Sequence, residues 1–225
     1  MEVIGRETKF NKPTFNKIPK EKQDHILEVA TKEFATNGFQ NTNINVIAEK
    51  AGISIGSLYK YFASKKDLFL MTIHTGIAIL GETLDAIIDL PISVTQKFEK
   101  VIRAVQKTSR EKSDLIQLYS EMTAVGNAEL VQKISFGIES ISAATYTKII
   151  KDGQATGEIR ADIDPAMAAY LFDSLLMNLQ FSYASDYFRE RFKLYVAPDI
   201  LERDDFVVEE TMKFIASALL LPSSR

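Results

Sequence analysis

The sequence predicts an all-α protein in two unlike parts, about nine helices in all. Three observations lead there. Apolar residues recur at three- and four-residue spacing along most of the chain, and little alternates like a strand. Helix start and stop residues punctuate that pattern, including Asn37-Gly38, Gly52, Pro91, Gly153 and Pro165. Charge is also unevenly shared: residues 1–66 hold 11 Lys and Arg against 7 Asp and Glu, and residues 67–225 hold 16 against 23.

Residues 1–19 contain Arg6, Lys9, Lys12, Lys17 and two prolines without sustained periodicity, and read as a flexible basic arm. A helix follows from Lys20, with Ile26, Leu27, Ala30, Phe34 and Ala35 on one stripe; Asn37-Gly38 supplies its left-handed stop. A short second helix begins near Thr42-Asn43, places Ile44, Ile47 and Ala48 on one face, and ends at Gly52. Ser54 caps a third helix through Phe62, and Ser64, with Asp67 three residues on, caps a fourth that runs to about Asp89 before Pro91. Further helices are expected over about 93–111, 113–124, 128–151, 165–195 and 205–220, with the clearest loop of the body in "DGQATGEIRADIDP".

With 225 residues and 46% hydrophobic composition the chain can bury a substantial core. The absence of Cys excludes disulfides and thiolate metal sites, and His25 and His74 are a poor start for a zinc centre, so neither metal nor cofactor is expected. The N-terminus lacks the apolar core of a signal peptide, which makes a cytoplasmic protein the default. The richest apolar stretch, 166–181, is interrupted by Asp173, Ser174, Asn178 and Gln180 and falls short of a bilayer span, so no membrane partner is expected. A basic head on an acidic body suits nucleic-acid binding, although ordinary fluctuation of surface charge gives the same totals.

The stretch "AGISIGSLYKYF", residues 51–62, admits two chemistries. Gly52 to Gly56 spells the G-x-S-x-G of a serine nucleophile elbow, which requires a strand entering Ser54, a sheet behind it, and an acid and then a His downstream. The residues before Gly52 are helical in pattern, and the sole downstream His, His74, is only about 20 residues on. A helix-turn-helix accounts for more of the letters. Ala48 and Ala51 permit close backbone approach, Gly52 tolerates positive φ, and Ile53, Leu58 and Phe62 turn inward toward Ile44, Ile47 and Phe34. Ile55, Gly56, Ser57, Tyr59, Lys60 and Tyr61 are left outward, a face suited to entering a groove. Lys65 and Lys66 oppose the dipole of the fourth helix in its first turn, an arrangement that an anion reverses; a solvated pair offset by Asp67 is the plain alternative.

The segment "EFATNGFQNTNINVIAEKAGISIGSLYKYFASKKDLF", residues 33–69, resembles the tetracycline-repressor-like (TetR-type) bacterial transcription regulators. The resemblance implies an N-terminal three-helix helix-turn-helix DNA-binding domain (20–66) plus a C-terminal helical ligand-binding and dimerisation domain (67–225). It implies no enzymatic activity, a homodimer, a double-stranded palindromic operator and a small-molecule inducer. It puts Thr42, Asn43, Ser54, Ile55, Gly56, Ser57, Tyr59, Lys60 and Tyr61 at DNA-contact positions and Lys65 at a phosphate-contact position. Ile55 departs from the polar residue often found there, which suits packing on a thymine methyl.

Apolar residues in 165–183 cover well over half the helix circumference. Such a helix is buried on two sides, against its own core and a partner with the closing helix beside it, or is wholly internal. Tyr119, Met122, Phe136, Tyr146, Phe172 and Leu176 are candidate walls of a cavity for an apolar or amphipathic inducer, and equally fit plain core. The aromatic residues Tyr187, Phe188, Phe192 and Tyr195 extend that helix as a flap or dimer contact. Outside this reading stand a helical protein-interaction module without DNA and a serine hydrolase using Ser54.

Overall fold

A computed structural model describes residues 10–122 and 128–221, with side chains outside 121–135. Ten α-helices are present among the described residues: α1 (Lys20–Asn41), α2 (Ile44–Lys50), α3 (Ile55–Tyr61), α4 (Lys65–Ile88), α5 (Val94–Glu111), α6 (Ser113–Met122), α7 (Ala128–Thr156), α8 (Pro165–Ala184), α9 (Asp186–Tyr195) and α10 (Asp204–Leu219). No strand occurs among those residues, apart from an isolated antiparallel bridge between Ile159 and Leu220. The described residues fall into two compact units, one within 1–79 and 114–138 and the other within 80–113 and 139–225.

In the first unit, α1, α2 and α3 close around Ile26, Ala30, Phe34, Ile47, Leu58 and Phe62, all buried. Burial of each large side chain contributes about 1.5–3 kcal/mol, which holds the seven-residue α2 and α3 in helices that would be marginal alone. Phe34 and Phe39 pack on Phe69 of α4 at 5.1 and 4.9 Å between ring centroids. The stop at Asn37-Gly38 is present as a break, with Gly38 at φ 68°. Glu33, buried in α1, pairs with Lys50 of α2 and ties the two helices together. By length and composition α4 could cross a bilayer, but Leu68, Phe69, Ile73 and Ile77 are buried inside the protein.

Residues 10–19 depart from the expected free arm. Residues 15–17 form a 3-10 turn, and Phe15, 1% exposed, rests on Phe62 at 4.8 Å. The basic and proline-containing sequence concealed an apolar anchor.

In the second unit, α5, α8 and α10 surround a core that includes Phe98, Ile102, Tyr146, Ile149, Phe172, Leu176, Val207 and Ile215. Ser93 and Gln96 form a reciprocal capping box on α5, and Asp164 accepts from the Met167 amide at 2.8 Å at the start of α8. The helix expected over 165–195 is broken at Ser185, which is extended (φ −112°, ψ 132°). At the break, Arg189 donates to the Tyr183 carbonyl, while Gln106 donates to the Tyr183 hydroxyl at 3.0 Å and that hydroxyl donates to Asp204 at 3.1 Å. This break yields ten helices where about nine were expected. The loop after α7 is also shorter than expected, because the helix continues past Gly153 to Thr156. Gly153 is required there by close approach, since a Cβ would lie 2.8 Å from Ile159 and 3.0 Å from Val94.

Candidate nucleic-acid interface

The turn before α3 follows from its residues. Gly52 adopts φ +65°, which its lack of a side chain allows, and lets the chain reverse after α2. Asn43 caps α2, its Oδ1 accepting from the Asn45 amide at 2.9 Å, and Ser54 caps α3, its Oγ accepting from the Ser57 amide at 3.1 Å. With Leu58 and Phe62 inward, the opposite flank carries Ile55 (36% exposed), Gly56, Tyr59 (46% exposed) and Lys60 in the open, with Ser57 and Tyr61 half-buried. Ile53 and Ile44, expected inward, are only half-buried.

Of the ten expected contact residues, Asn43, Ser54, Ile55, Gly56, Tyr59 and Lys60 are exposed, and Ser57, Tyr61 and Lys65 are half-buried. Thr42 does not offer its side chain there. It is 4% exposed, and its hydroxyl donates to the carbonyls of Gly38 (2.6 Å) and Glu33 (3.1 Å), bridging the break in α1. In the free chain the Thr42 side chain, expected at the DNA, is instead engaged within the first unit.

Lys65 opens α4, where Ser64 accepts from the Asp67 amide at 3.1 Å and donates to the Asp67 carboxylate at 2.9 Å. Its ammonium donates to the Gln40 carbonyl at 3.0 Å and lies 5.0 Å from the Phe39 ring centre; partial desolvation lowers its pKa. An ammonium has three donors, so this bond leaves capacity for a phosphate oxygen. Lys66, next to it, is exposed.

The elbow geometry is missing at Ser54. The turn after α2 leads into it rather than a strand, and its Oγ is shared with Ser57 at 2.9 Å.

The ligand candidates fall in two groups. Tyr146, Phe172 and Leu176 are buried in the second unit, where Tyr146 and Phe172 pack edge to face at 5.0 Å and Phe98 meets Phe172 at 4.7 Å. Burial raises the pKa of Tyr146, although its hydroxyl is hydrogen-bonded to Ser142. Burial pushes the nearby Asp173 carboxyl up to about 6, and the Glu139 charge adds to the effect. Tyr119, half-buried, and Phe136, 53% exposed, belong to the first unit. Met122 ends α6 with its side chain outside the described residues. An apolar groove of about 550 Å³ runs between α8 and α10, lined by Phe172 of the candidates together with Met167, Leu171, Leu175 and Phe214 among others.

Sequence reasoning missed the contribution of residues 12–15 to this edge. Phe10, Phe15 and Ile18 were the available signal, because a solvated arm has no use for large apolar side chains.

Residues 26–71 match the family described as bacterial regulatory proteins, tetR family. The HTH-type transcriptional repressor KstR2 of Mycolicibacterium smegmatis is 23% identical over 150 residues, 65% of this chain and 71% of that protein. A TetR family transcriptional regulator from Chloroflexus aurantiacus superposes with a TM-score of 0.63 at 25% identity, covering 94% of this chain and 99% of that one. The transcriptional regulator FadR from Bacillus subtilis, in complex with stearoyl-CoA, superposes with a TM-score of 0.66 at 21% identity, covering 83% and 95%.

Proposed function

We propose that the chain, whose residues 26–71 match the tetR family of bacterial regulatory proteins, works as a homodimeric repressor released from a palindromic operator by an apolar or amphipathic small molecule. The observation that carries this reading is the two-sidedness of α3: Leu58 and Phe62 are sealed inside while Ile55, Tyr59 and Lys60 stand out on a capped helix. Residues 20–66 are the DNA-binding head, with Asn43, Ser54, Ile55, Gly56, Ser57, Tyr59, Lys60 and Tyr61 at the duplex and Lys65 on a phosphate. Residues 67–225 are the sensing and dimerising body.

A dimer presents two α3 helices to successive major grooves about 34–36 Å apart. The outward side of α8, with Met167, Tyr170, Leu171 and Leu175 all more than a third exposed, and Phe214 of α10 at 63%, supports a four-helix contact with a second copy. The aromatic packing of Phe98, Tyr146 and Phe172 and the acyl-CoA held by the FadR neighbour support an inducer with a large apolar part. Tyr119, Met122, Phe136, Tyr146, Phe172 and Leu176 are its candidate contacts. An inducer favouring a body conformation with another head separation lowers operator affinity through its differential affinity for the two states. The protein is not an enzyme and acts in the cytoplasm.

Selection of duplexes from a random pool on the purified protein tests the reading. Enrichment of a palindrome is expected, with affinity falling steeply as salt rises. No enrichment, or binding indifferent to salt, would sink it in favour of a protein-interaction module. Hydrolysis of a chromogenic ester that disappears in Ser54→Ala would instead revive the hydrolase.

A further inference from the structure

A helix of seven residues leaves the carbonyls of its last turn without partners in the helix, and fraying there would disturb half of α3. The Leu58 carbonyl accepts from the Phe62 amide at 2.9 Å. The other three are taken by a segment more than 40 residues upstream. The Tyr59 carbonyl accepts from the Lys12 ammonium at 2.8 Å, the Lys60 carbonyl from the Thr14 hydroxyl, and the Tyr61 carbonyl from the Lys12 amide at 2.7 Å. Phe15 pins the segment beneath them, against Phe62 at 4.8 Å and Tyr61 at 5.7 Å. Asn11 and Asn16 close it with a 2.8 Å side-chain bond. A cation at a helix C-terminus also has the sign that the helix dipole favours.

We propose that residues 12–15 are a positioning element of the DNA-binding head: Lys12 and Thr14 cap the last turn of α3 and Phe15 fixes its height, so that Tyr59, Lys60 and Tyr61 meet the duplex in one orientation. The proposal rests on the reading of α3 as the helix that enters DNA. The capping residues need not touch DNA, and they act through the residues they hold. Losing the Thr14 donor frays the turn and costs the free protein ordering that it must recover on the operator.

The test uses the full chain with Thr14→Val, which keeps the shape and loses the donor, and Thr14→Ser, which keeps the donor. Two duplexes serve as probes, one enriched on the wild type from a random pool and a scrambled one of equal length. Thr14→Val should bind the enriched duplex about tenfold more weakly, the size expected for one lost hydrogen bond, and the scrambled duplex nearly as before, while Thr14→Ser restores binding. Amide hydrogen exchange of α3 in the free protein should quicken in Thr14→Val alone, with the melting temperature lowered by only a few degrees. Wild-type affinity in Thr14→Val overturns the proposal, as does an equal loss on both duplexes, which would make the segment a general backbone contact. If the Val variant melts markedly lower, Lys12→Met provides the same comparison: unchanged preference between the duplexes overturns the proposal. A wild type that enriches no duplex defeats the DNA reading itself, an outcome distinct from failure of the cap.

Discussion

Helices α3 and α8 each bury one flank and turn another chemistry outward. On α3 the buried flank is Leu58, and the outward one mixes Ile55, Gly56, Tyr59 and Lys60: small, aromatic and cationic, with backbone close to the surface. On α8 the buried flank is Ala168, Ala169, Phe172, Leu176 and Leu179, and the outward one is Met167, Tyr170, Leu171 and Leu175. Polyanion and groove suit the first face; a second apolar surface suits the other. The difference teaches that the flank left over after core packing, more than the helix itself, specifies the partner.

The strongest way to break the comparison is to charge the outward flank of α8. Leu171→Asp places an unpaired carboxylate in the proposed contact and should raise the dimer dissociation constant at least about a hundredfold, read by sedimentation, with operator binding falling alongside. A variant that remains dimeric would move the interface elsewhere.

Truncating the buried flank should act on stability instead. Phe172→Ala should cost about 3–5 kcal/mol and lower the melting temperature by on the order of 10 °C, whereas Tyr170→Ala, 65% exposed, should leave the melting temperature of the isolated protomer nearly unchanged. Similar losses would mean the two flanks are not distinct.

On α3 and the start of α4, Tyr59→Ala and Lys65→Ala should each weaken operator binding about 5- to 30-fold while the dimer stays folded. Lys65→Ala should also reduce the salt slope by about 1. Unchanged binding in both would remove the contact assignment.

The smallest effect sharpens what is special about α8. The Asp173 carboxyl, raised to about 6 from an ordinary value of 3.8, binds its proton more tightly in the folded state than in the unfolded one. Its contribution to stability is therefore fully present below about pH 4 and is lost as pH rises to about 6. Because Asp173 is only partly buried, solvent screening reduces the effect to about 1 kcal/mol, and Asp173→Asn should raise the melting temperature by about 2–4 °C at pH 7.5 and by about 1 °C at pH 4.5. No pH dependence in the difference would remove the cause assigned here.

The head was legible because its signals are local. Gly38, Gly52, Asn43, Ser54 and Ser64 punctuate short helices whose stripes point to one core, and each does so in the structure. The inward turn of Thr42 was not legible, because its side chain serves carbonyls four and nine residues away, across a break whose geometry no periodicity describes. On α8, the apolar excess announced more apolar surface than one core can cover, but periodicity did not say which residues faced which way.

By itself, the sequence determined the all-α class, the helix boundaries marked by caps and glycines, and the composition of the α3 edge, since all of these depend on residues a few positions apart. Tertiary structure alone decided the bonding of Tyr183 to Gln106 and Asp204 beside the break at Ser185, and the docking of residues 12–15 under α3. It also decided which flank of α8 is covered. These follow from contacts between distant parts of the chain, where packing and hydrogen bonding outweigh the weak preferences of local sequence.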